Sequence, residues 1–280
     1  VGIWGKNGSG KSSLLQAMLW ALKTNWSGIL GRSEDVTFSR DLTKYACSVE
    51  VIFSDGKQYK RKITGPETFS GGEDLQDIRY FPPWRRIGAR TSRINIHVDS
   101  DLGFRGGDIH TFIHHFLHQL MGRLQRGDKE AGEIYDKLNT WAEKIGFGKL
   151  LDSPIGAEAV MGTYRDEILN LEVPGFDGGF GGNSVLPILL EGYSFKDGVM
   201  LIEEPEISLH PAAQSEVLDF FIEMARERNH QIIFTSHSEY MVKKIARLLK
   251  EGILDSNLIS VYVARKEDES GTMFEKKNKD

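Results

Sequence analysis

A glycine-rich segment near the start of the chain constrains its fold more than any other feature. Gly5 to Ser12 reads GKNGSGKS, which fits the phosphate-binding pattern G-x-x-x-x-G-K-[ST] at every fixed position. The glycines of such a segment let successive backbone N–H groups turn toward one anion, and the lysine reaches the β- and γ-phosphates of a nucleotide. The hydroxyl that follows the lysine binds Mg²⁺. We therefore expect this chain to bind ATP and Mg²⁺, with Lys11 on the phosphates and Ser12 on the metal.

The residues on either side of this phosphate loop form the setting that the motif requires. Val1 to Trp4 reads as the end of a buried strand, and Ser13 to Leu22 reads as an apolar helix. A Gly/Ser-rich turn without a ligand is the alternative, and it gives no reason for a strand before the loop and a helix after it. Nucleotide contacts are predicted from these residues of the loop and the helix start: Gly5, Asn7, Gly8, Ser9, Gly10, Lys11, Ser12 and Ser13.

The composition is that of an ordinary globular chain without membrane spans. Of the 280 residues, 40% are hydrophobic and 27% are charged. Apolar runs such as Val185 to Leu190 fall well short of the roughly 20 residues that span a bilayer. The single cysteine, Cys47, excludes an internal disulfide framework. A cytoplasmic protein with no membrane contact is expected. Because the chain does not begin with Met and only four residues precede Gly5, we also expect it to be N-terminally truncated.

The charge balance gives no overall attraction to nucleic acid. The formal net charge is -5, so any contact with DNA has to come from a local patch. The densest basic group consists of Arg79, Arg85, Arg86, Arg90 and Arg93. These arginines either line a solvated loop or contact a phosphate backbone, and the sequence favours the solvated loop.

The middle of the chain combines a β hairpin with helices. Ser48 to Phe53 and Gln58 to Ile63 alternate in the manner of strands around an Asp-Gly turn, which predicts an antiparallel hairpin. Two helical patterns over 109–125 and 129–145 predict a helical hairpin. Further strand-like pieces are Ile78 to Phe81, Ile94 to Val98, Ala159 to Met161 and Glu167 to Val173.

A pair of carboxylates follows a predicted strand in the second half of the chain. Val199 to Ile202 is an apolar run typical of a buried parallel strand, and it leads into Glu203-Glu204-Pro205-Glu206. In P-loop enzymes the first acidic residue at such a strand end supports Mg²⁺, and a following glutamate polarises the attacking water. We therefore assign Glu203 to the metal and Glu204 to the general base. A charged strand end in solvent is the alternative.

A second apolar run ends in a histidine. Gln231 to Thr235 is followed by Ser236-His237-Ser238, and the helix predicted for Pro211 to Arg228 lies between the two runs. Strand, crossover helix and strand then follow one another in the parallel α/β manner. His237 is predicted to contact the γ-phosphate, and the same turn can also cap the helix that follows.

These elements together predict an α/β fold. We expect a P-loop NTPase with a mainly parallel sheet, an antiparallel β hairpin region and an inserted helical hairpin. The ATPase head is assigned to residues 1–65 and 150–280, and residues 66–149 are assigned to an irregular and helical insertion.

The order of these motifs resembles that of the ABC-type ATPase heads, and more narrowly that of their RecF- and OLD-like branch. The resemblance rests on the phosphate loop, on Ile202 to Pro211, which reads IEEPEISLHP, and on Thr235 to Ser238, which reads TSHS. It is strong over residues 1–30 and about 175–240 and weak between them. It implies a homodimer in which ATP lies between the phosphate loop of one subunit and a Ser-Gly signature turn of the other.

Two segments resemble that signature. Phe69 to Glu73 reads FSGGE but lies too far ahead of Glu203, whereas Gly179 to Ser184 reads GFGGNS and directly precedes a predicted helix. The resemblance therefore assigns nucleotide contacts to Gly182 and Asn183, with the asparagine at the helix cap in place of the usual serine. For the family's glutamine loop, Gln58 and Gln76 both stay open.

The leading interpretation is an ATP-hydrolysing head that dimerises around Mg-ATP and serves DNA repair or phage defence. The resemblance alone supplies DNA or a nuclease as the partner. The first alternative is the regulatory ATPase half of a nuclease, with a TOPRIM domain or a separate nuclease outside this chain. A transporter subunit fits less well because its signature is missing, and a nucleotide-gated scaffold leaves Glu204 without a use.

Overall fold

The central element of the fold is a mainly parallel β-sheet. The computed structural model describes residues 1–22, 47–63, 69–71, 75, 77–83, 109–146, 148–151, 163–166, 170–174, 180–267 and 271–277. The strands of the sheet are β1 (Gly2–Gly5), β5 (Ile78–Phe81), β9 (Val199–Glu203), β10 (Gln231–Ser236), β11 (Val261–Glu267) and β12 (Gly271–Lys277). Their order is β12-β11-β1-β10-β9-β5, and every pairing is parallel except β11 with β12. The predicted α/β fold is confirmed.

Successive side chains of the strands point to opposite faces of this sheet, so two cores form. Ile3, Tyr80 and Leu201 belong to one core, and the residues that directly follow them belong to the other: Trp4, Phe81 and Ile202. The first core contains α1 (Lys11–Leu22). The second contains α2 (Ile109–Gln125), α3 (Lys129–Ile145), α4 (Phe180–Ser194), α5 (Pro211–Glu227) and α6 (Glu239–Lys250). No helix among the described residues combines the length and the apolar character that a membrane span requires.

Two smaller antiparallel sheets accompany the central sheet. One consists of β2 (Cys47–Ile52), β3 (Gln58–Ile63) and β4 (Phe69–Gly71), and the other of β6 (Lys149–Leu151), β7 (Thr163–Asp166) and β8 (Leu171–Pro174). The predicted hairpin is confirmed as β2 and β3, and the Asp55 carboxylate accepts a hydrogen bond from the Lys57 N–H in its turn.

The predicted helical hairpin is also confirmed as α2 and α3, and it contributes to the second of the two cores. Asp128 caps α3 by accepting a hydrogen bond from the Ala131 N–H at 3.2 Å. Leu138 and Trp141 of α3 are buried in the same core as Phe220 of α5. The division of the chain into a head and an insertion stays a prediction, but helix α3 packs as part of the core.

One predicted strand is placed differently. The segment from Glu167 to Val173 was expected to be a single strand, but Asn170 occupies a turn with φ of 51°, and β8 begins only after it. Asparagine tolerates this left-handed conformation better than most residues, which favours a hairpin turn between β7 and β8. The pieces predicted at Ile94 to Val98 and Ala159 to Met161 lie outside the described residues.

Candidate nucleotide site

The predicted site residues meet at the carboxyl edge of the central sheet. Strand β1 ends at Gly5, β9 at Glu203 and β10 at Ser236, and the register pairs Trp4 with Ser236 and Thr235 with Glu203. Carboxyl ends of adjacent parallel strands open into one crevice, where α/β proteins bind ligands. The phosphate loop, the two carboxylates and the His237 turn are therefore brought together.

The phosphate loop runs from the end of β1 into the first turn of α1. Lys11 is 6% exposed, and its ammonium donates hydrogen bonds to the carbonyl oxygens of Gly5 at 2.9 Å and Lys6 at 3.1 Å. Gly10 has φ of 86°, and an added Cβ would lie 2.5 Å from the Thr272 hydroxyl oxygen. A glycine is therefore required there by conformation and by space.

The remaining predicted loop residues surround this lysine. Asn7 and Gly8 are exposed at the tip, and Ser12 and Ser13 belong to the first turn of α1. The Ser9 hydroxyl oxygen is buried and has no hydrogen-bond partner within the part of the chain that the structure describes. Backbone N–H groups at a helix start and an unsatisfied buried hydroxyl are both suited to a phosphate oxygen.

The charge around Lys11 is dominated by carboxylates. Burial lowers the pKa of Lys11 below its ordinary value, and the negative charges of Glu204, Glu206 and Glu203 oppose that shift. These carboxylates consequently lie close enough to the lysine to influence its proton. The site thus holds one buried cation and several anions at the same sheet edge.

Glu203 is fixed by a residue to which the sequence assigned no chemistry. Its carboxylate is 1% exposed and accepts a hydrogen bond from the hydroxyl of Tyr80, which is equally buried. Tyr80 lies on β5, directly beside β9, where it pairs with Leu201. In the sequence, Tyr80 stands in the strand-like piece Ile78 to Phe81. Its role could have been recognised only if that strand had been placed next to β9.

The donor set suits Mg²⁺. Ser12 and Glu203 offer a hydroxyl and a carboxylate oxygen, which are hard ligands. Among the residues described, no group of three or more His, Cys, Asp or Glu side chains could hold a metal ion by itself. Mg²⁺ typically uses one or two carboxylates together with the phosphates of its substrate.

Glu204 adopts an unusual backbone conformation next to His237. Its φ is 44°, a left-handed region that costs a residue with a side chain about 1 to 3 kcal/mol. Its N–H donates to the carbonyl oxygen of Thr235 at 3.0 Å and lies 3.3 Å from the Thr235 hydroxyl oxygen. The Glu204 carboxylate lies 3.7 Å from Nε2 of His237, and both side chains are about one-third exposed, at 31% and 35%. The two predicted catalytic side chains are therefore neighbours that open toward solvent.

The His237 turn also caps the helix that follows it. Ser238 is the N-cap of α6, and its hydroxyl oxygen accepts a hydrogen bond from the Met241 N–H at 3.2 Å. The same hydroxyl donates to Oε1 of Gln214 on α5 at 2.5 Å. Capping of α6, expected as an alternative for this turn, is confirmed and leaves the His237 side chain available.

The predicted signature segment differs in one respect. Helix α4 already begins at Phe180, so Gly182 and Asn183 lie inside its first turn, and the expectation that Asn183 caps the helix is wrong. The reason is close packing between the start of α4 and the turn that follows Glu204. A Cβ on Gly181 would lie 2.4 Å from the Ser208 carbonyl oxygen, so a glycine is needed for the helix to begin there. The Ser184 hydroxyl donates to the Gly181 carbonyl oxygen at 2.7 Å.

The remaining sequence candidates are only partly among the described residues. Arg79 is buried and pairs with Glu191 at 3.3 Å, so it is neither a solvated loop residue nor a contact for DNA phosphate. The other arginines of its cluster lie outside the described residues. Phe69 to Gly71 is strand β4, and Gln58 begins β3 in the small sheet, whereas Gln76 is outside the described residues.

Two family models and two curated proteins match parts of this chain. Residues 1–100 match the family described as AAA domain, and residues 122–242 match the family described as AAA ATPase domain. Over 135 residues the chain is 33% identical to the OLD nuclease of Thermus scotoductus (strain ATCC 700910 / SA-01), covering 45% of this chain and 25% of that protein. Over 62 residues it is 34% identical to the lipoprotein-releasing system ATP-binding protein LolD of Rickettsia felis (strain ATCC VR-1525 / URRWXCal2), covering 21% and 28%. The chain thus spans about a quarter of the length of the curated relatives it matches.

Solved structures support the fold. An Smc head domain derived from Pyrococcus furiosus, bound to the C-terminal domain of ScpA, superposes with a TM-score of 0.58 at 11% identity, covering 98% of this chain and 89% of that one. An SmcHead bound to the C-winged helix domain of ScpA gives a TM-score of 0.56 at 15% identity with the same coverage. At these identities the likeness concerns the fold alone. The phosphate loop, the sheet order and the matched segments make this chain similar to P-loop ATPases and, over part of its length, to the OLD nuclease.

Proposed function

We propose that the chain is an ATPase head that dimerises around Mg-ATP. The observation that carries the proposal is the convergence of Lys11, Glu203, Glu204 and His237 at one sheet edge. A cation for phosphate, a carboxylate for the metal and a carboxylate beside a histidine are the parts that P-loop hydrolysis needs.

Each part then has a role in the reaction. Lys11 exchanges its loop carbonyl partners for β- and γ-phosphate oxygens, and the start of α1 donates backbone N–H groups to the same phosphates. Ser12 and Glu203 would hold Mg²⁺, and the bound ion would supply positive charge against the phosphates. Glu204 accepts the proton of the attacking water, and His237 contacts the γ-phosphate from the neighbouring strand.

The position of the signature segment supports the proposed dimer. Gly182 and Asn183 are in the first turn of α4, and the start of a helix offers N–H groups to a phosphate of a second subunit's ATP. The head, residues 1–65 and 150–280, would form this interface, with residues 66–149 as the insertion. Hydrolysis would separate the two heads.

Two settings for such a head are proposed. The first is a DNA-directed machine in repair or phage defence. The second is the regulatory half of a nuclease, and the similarity to the OLD nuclease over 135 residues favours it specifically. In both settings DNA or a nuclease is the partner.

The test combines oligomeric mass and ATP turnover of the protein, with and without DNA. We expect the mass of a dimer with ATP and of a monomer with ADP, and we expect DNA to raise turnover. A monomer in ATP at concentrations where turnover is measurable would contradict the dimer. An ATP-dependent dimer without a response to DNA would favour control of a nuclease over direct action on DNA.

Tyr80→Phe is expected to raise the Mg²⁺ concentration for half-maximal turnover by about 10-fold. The variant removes the hydrogen bond that orients Glu203, and losing such a bond to a metal ligand commonly costs about 10- to 100-fold in metal affinity or activity. Turnover is measured across a Mg²⁺ titration at saturating ATP. Tyr135→Phe is the matched control, because the Tyr135 hydroxyl donates to the Leu150 carbonyl oxygen at 2.9 Å, away from the site. An unchanged Mg²⁺ requirement in Tyr80→Phe would rule out this role.

A further inference from the structure

Glu206 is a buried acid to which the site chemistry described so far gives no use. It is 8% exposed and follows Glu204 by two residues. Its Oε1 accepts hydrogen bonds from the Ser236 hydroxyl at 2.7 Å and from the His237 N–H at 2.5 Å. Its Oε2 is enclosed and has no hydrogen-bond partner in the ranges that the structure describes. A half-satisfied buried carboxylate is costly, so its presence calls for an explanation.

We propose that Glu206 is a positioning residue that holds His237 at the nucleotide site by anchoring the backbone of the His237 turn. The proposal rests on the proposed role of His237 in ATP hydrolysis. It explains how the segment after Glu204 fixes the position of His237, which follows a different strand.

The geometry of the two turns supports this role. Glu206 lies in a tight turn, in which the Ile207 N–H donates to the Glu204 carbonyl oxygen at 3.1 Å and the Leu209 N–H donates to that of Glu206 at 3.0 Å. Glu204 and Glu206 are therefore held in a fixed relation to each other. Glu204 is hydrogen-bonded to Thr235, and Glu206 is hydrogen-bonded to the two residues after Thr235, which are Ser236 and His237.

Within the part of the chain that the structure describes, few contacts hold the His237 side chain, so an anchor on its backbone fixes its place. It is 35% exposed, and its ring lies 3.7 Å from the Glu204 carboxylate, beyond hydrogen-bond distance. The Glu206 carboxylate oxygen holds the backbone of His237 by accepting a hydrogen bond from its N–H. Ser236 extends the anchor, since its hydroxyl also accepts a hydrogen bond from the Ser238 N–H at 2.9 Å at the start of α6.

The alternative is that Glu206 acts through its charge. That charge helps to raise the pKa of Lys11 against the effect of burial, so it also faces the phosphate loop. Two substitutions separate the alternatives. Glu206→Gln keeps the length of the side chain and an oxygen that accepts both hydrogen bonds, but it removes the charge. Glu206→Asp keeps the charge but is too short to reach both donors.

The experiment measures kcat and KM for ATP in Glu206→Ala, Glu206→Gln and Glu206→Asp. We expect kcat to fall about 10- to 100-fold in the alanine and aspartate variants, while their KM for ATP stays within about 3-fold of wild type. In Glu206→Gln, both kcat and KM are expected to stay within about 3-fold of wild type. Glu133→Ala, an exposed glutamate on α3, is the control for a change of charge and should match wild type. If the glutamine variant is as slow as the aspartate and alanine variants, the proposal that Glu206 positions His237 is overturned.

A double-mutant cycle with His237→Ala shows whether Glu206 acts through the histidine. In the His237→Ala background, Glu206→Ala is expected to cost less than about 3-fold further, because residues that act through each other are not additive. Independent, additive losses overturn the Glu206 proposal and leave the role of His237 intact. If His237→Ala by itself does not lower turnover, the proposed role of His237 fails first. The midpoint of thermal unfolding is recorded for each variant, and the comparison of glutamine with aspartate decides the question if the alanine variant does not fold.

Discussion

Lys11→Ala is expected to weaken ATP binding by about 100-fold or more and to reduce turnover to background. The lysine is the one residue of the phosphate loop predicted to bring a full positive charge to the β- and γ-phosphates, and hydrogen bonds to charged groups count for about 1.5 to 3 kcal/mol each. In the structure its ammonium donates hydrogen bonds to two carbonyl oxygens of the loop, at Gly5 and Lys6. The substitution therefore removes the cation that the incoming phosphates would bind.

Direct titration with ATP or a non-hydrolysable analogue measures this effect. Lys243→Ala is the control, because Lys243 is a lysine on α6 whose side chain is 72% exposed and pairs with Glu239 one helical turn earlier. It should bind ATP like wild type. Lys11→Ala with wild-type affinity would show that the nucleotide is held elsewhere, and the site at the sheet edge would have to be abandoned.

The parts of the site that could be predicted from the sequence are those where chemistry follows a strand directly. Glu203 and His237 each come after a run of buried apolar residues, and parallel strands deliver their carboxyl ends to one edge. The phosphate loop identifies itself because its glycines, lysine and serine are fixed by one short pattern. Local sequence was therefore sufficient to bring these three segments together.

The parts that could not be predicted depend on contacts between distant segments. Tyr80 and Glu203 are 123 residues apart in the chain, and Glu206 is bonded to residues 30 and 31 positions later. Nothing in the pattern around Tyr80 shows that its strand lies next to β9. Asn183 was misplaced for a related reason, because the helix start is set by the packing of Gly181 on Ser208 and not by the capping preference of asparagine.

Glu204→Gln is expected to keep ATP binding and to slow hydrolysis by about 100- to 10,000-fold, the range that general-base catalysis supplies. The amide has the same shape as the carboxylate but cannot accept a proton from water. The backbone hydrogen bonds from Glu204 to Thr235 do not involve the side chain, so the left-handed turn should persist in the variant. A head that binds ATP but cannot hydrolyse it should accumulate as the ATP-bound dimer.

Single-turnover kinetics and mass in the presence of ATP measure the two consequences separately. Glu133→Gln, an exposed glutamate on α3, is the matched control and should hydrolyse ATP at the wild-type rate. Slow hydrolysis with a stable dimer supports both the base assignment and the coupling of hydrolysis to separation of the heads. Slow hydrolysis without a dimer keeps Glu204 as the base but contradicts the dimer, because the ATP-bound protein would then remain a monomer. Wild-type hydrolysis in Glu204→Gln refutes the base assignment and shifts the search to the other carboxylates that face Lys11, of which Glu203 is bonded to Tyr80 and Glu206 to the His237 turn.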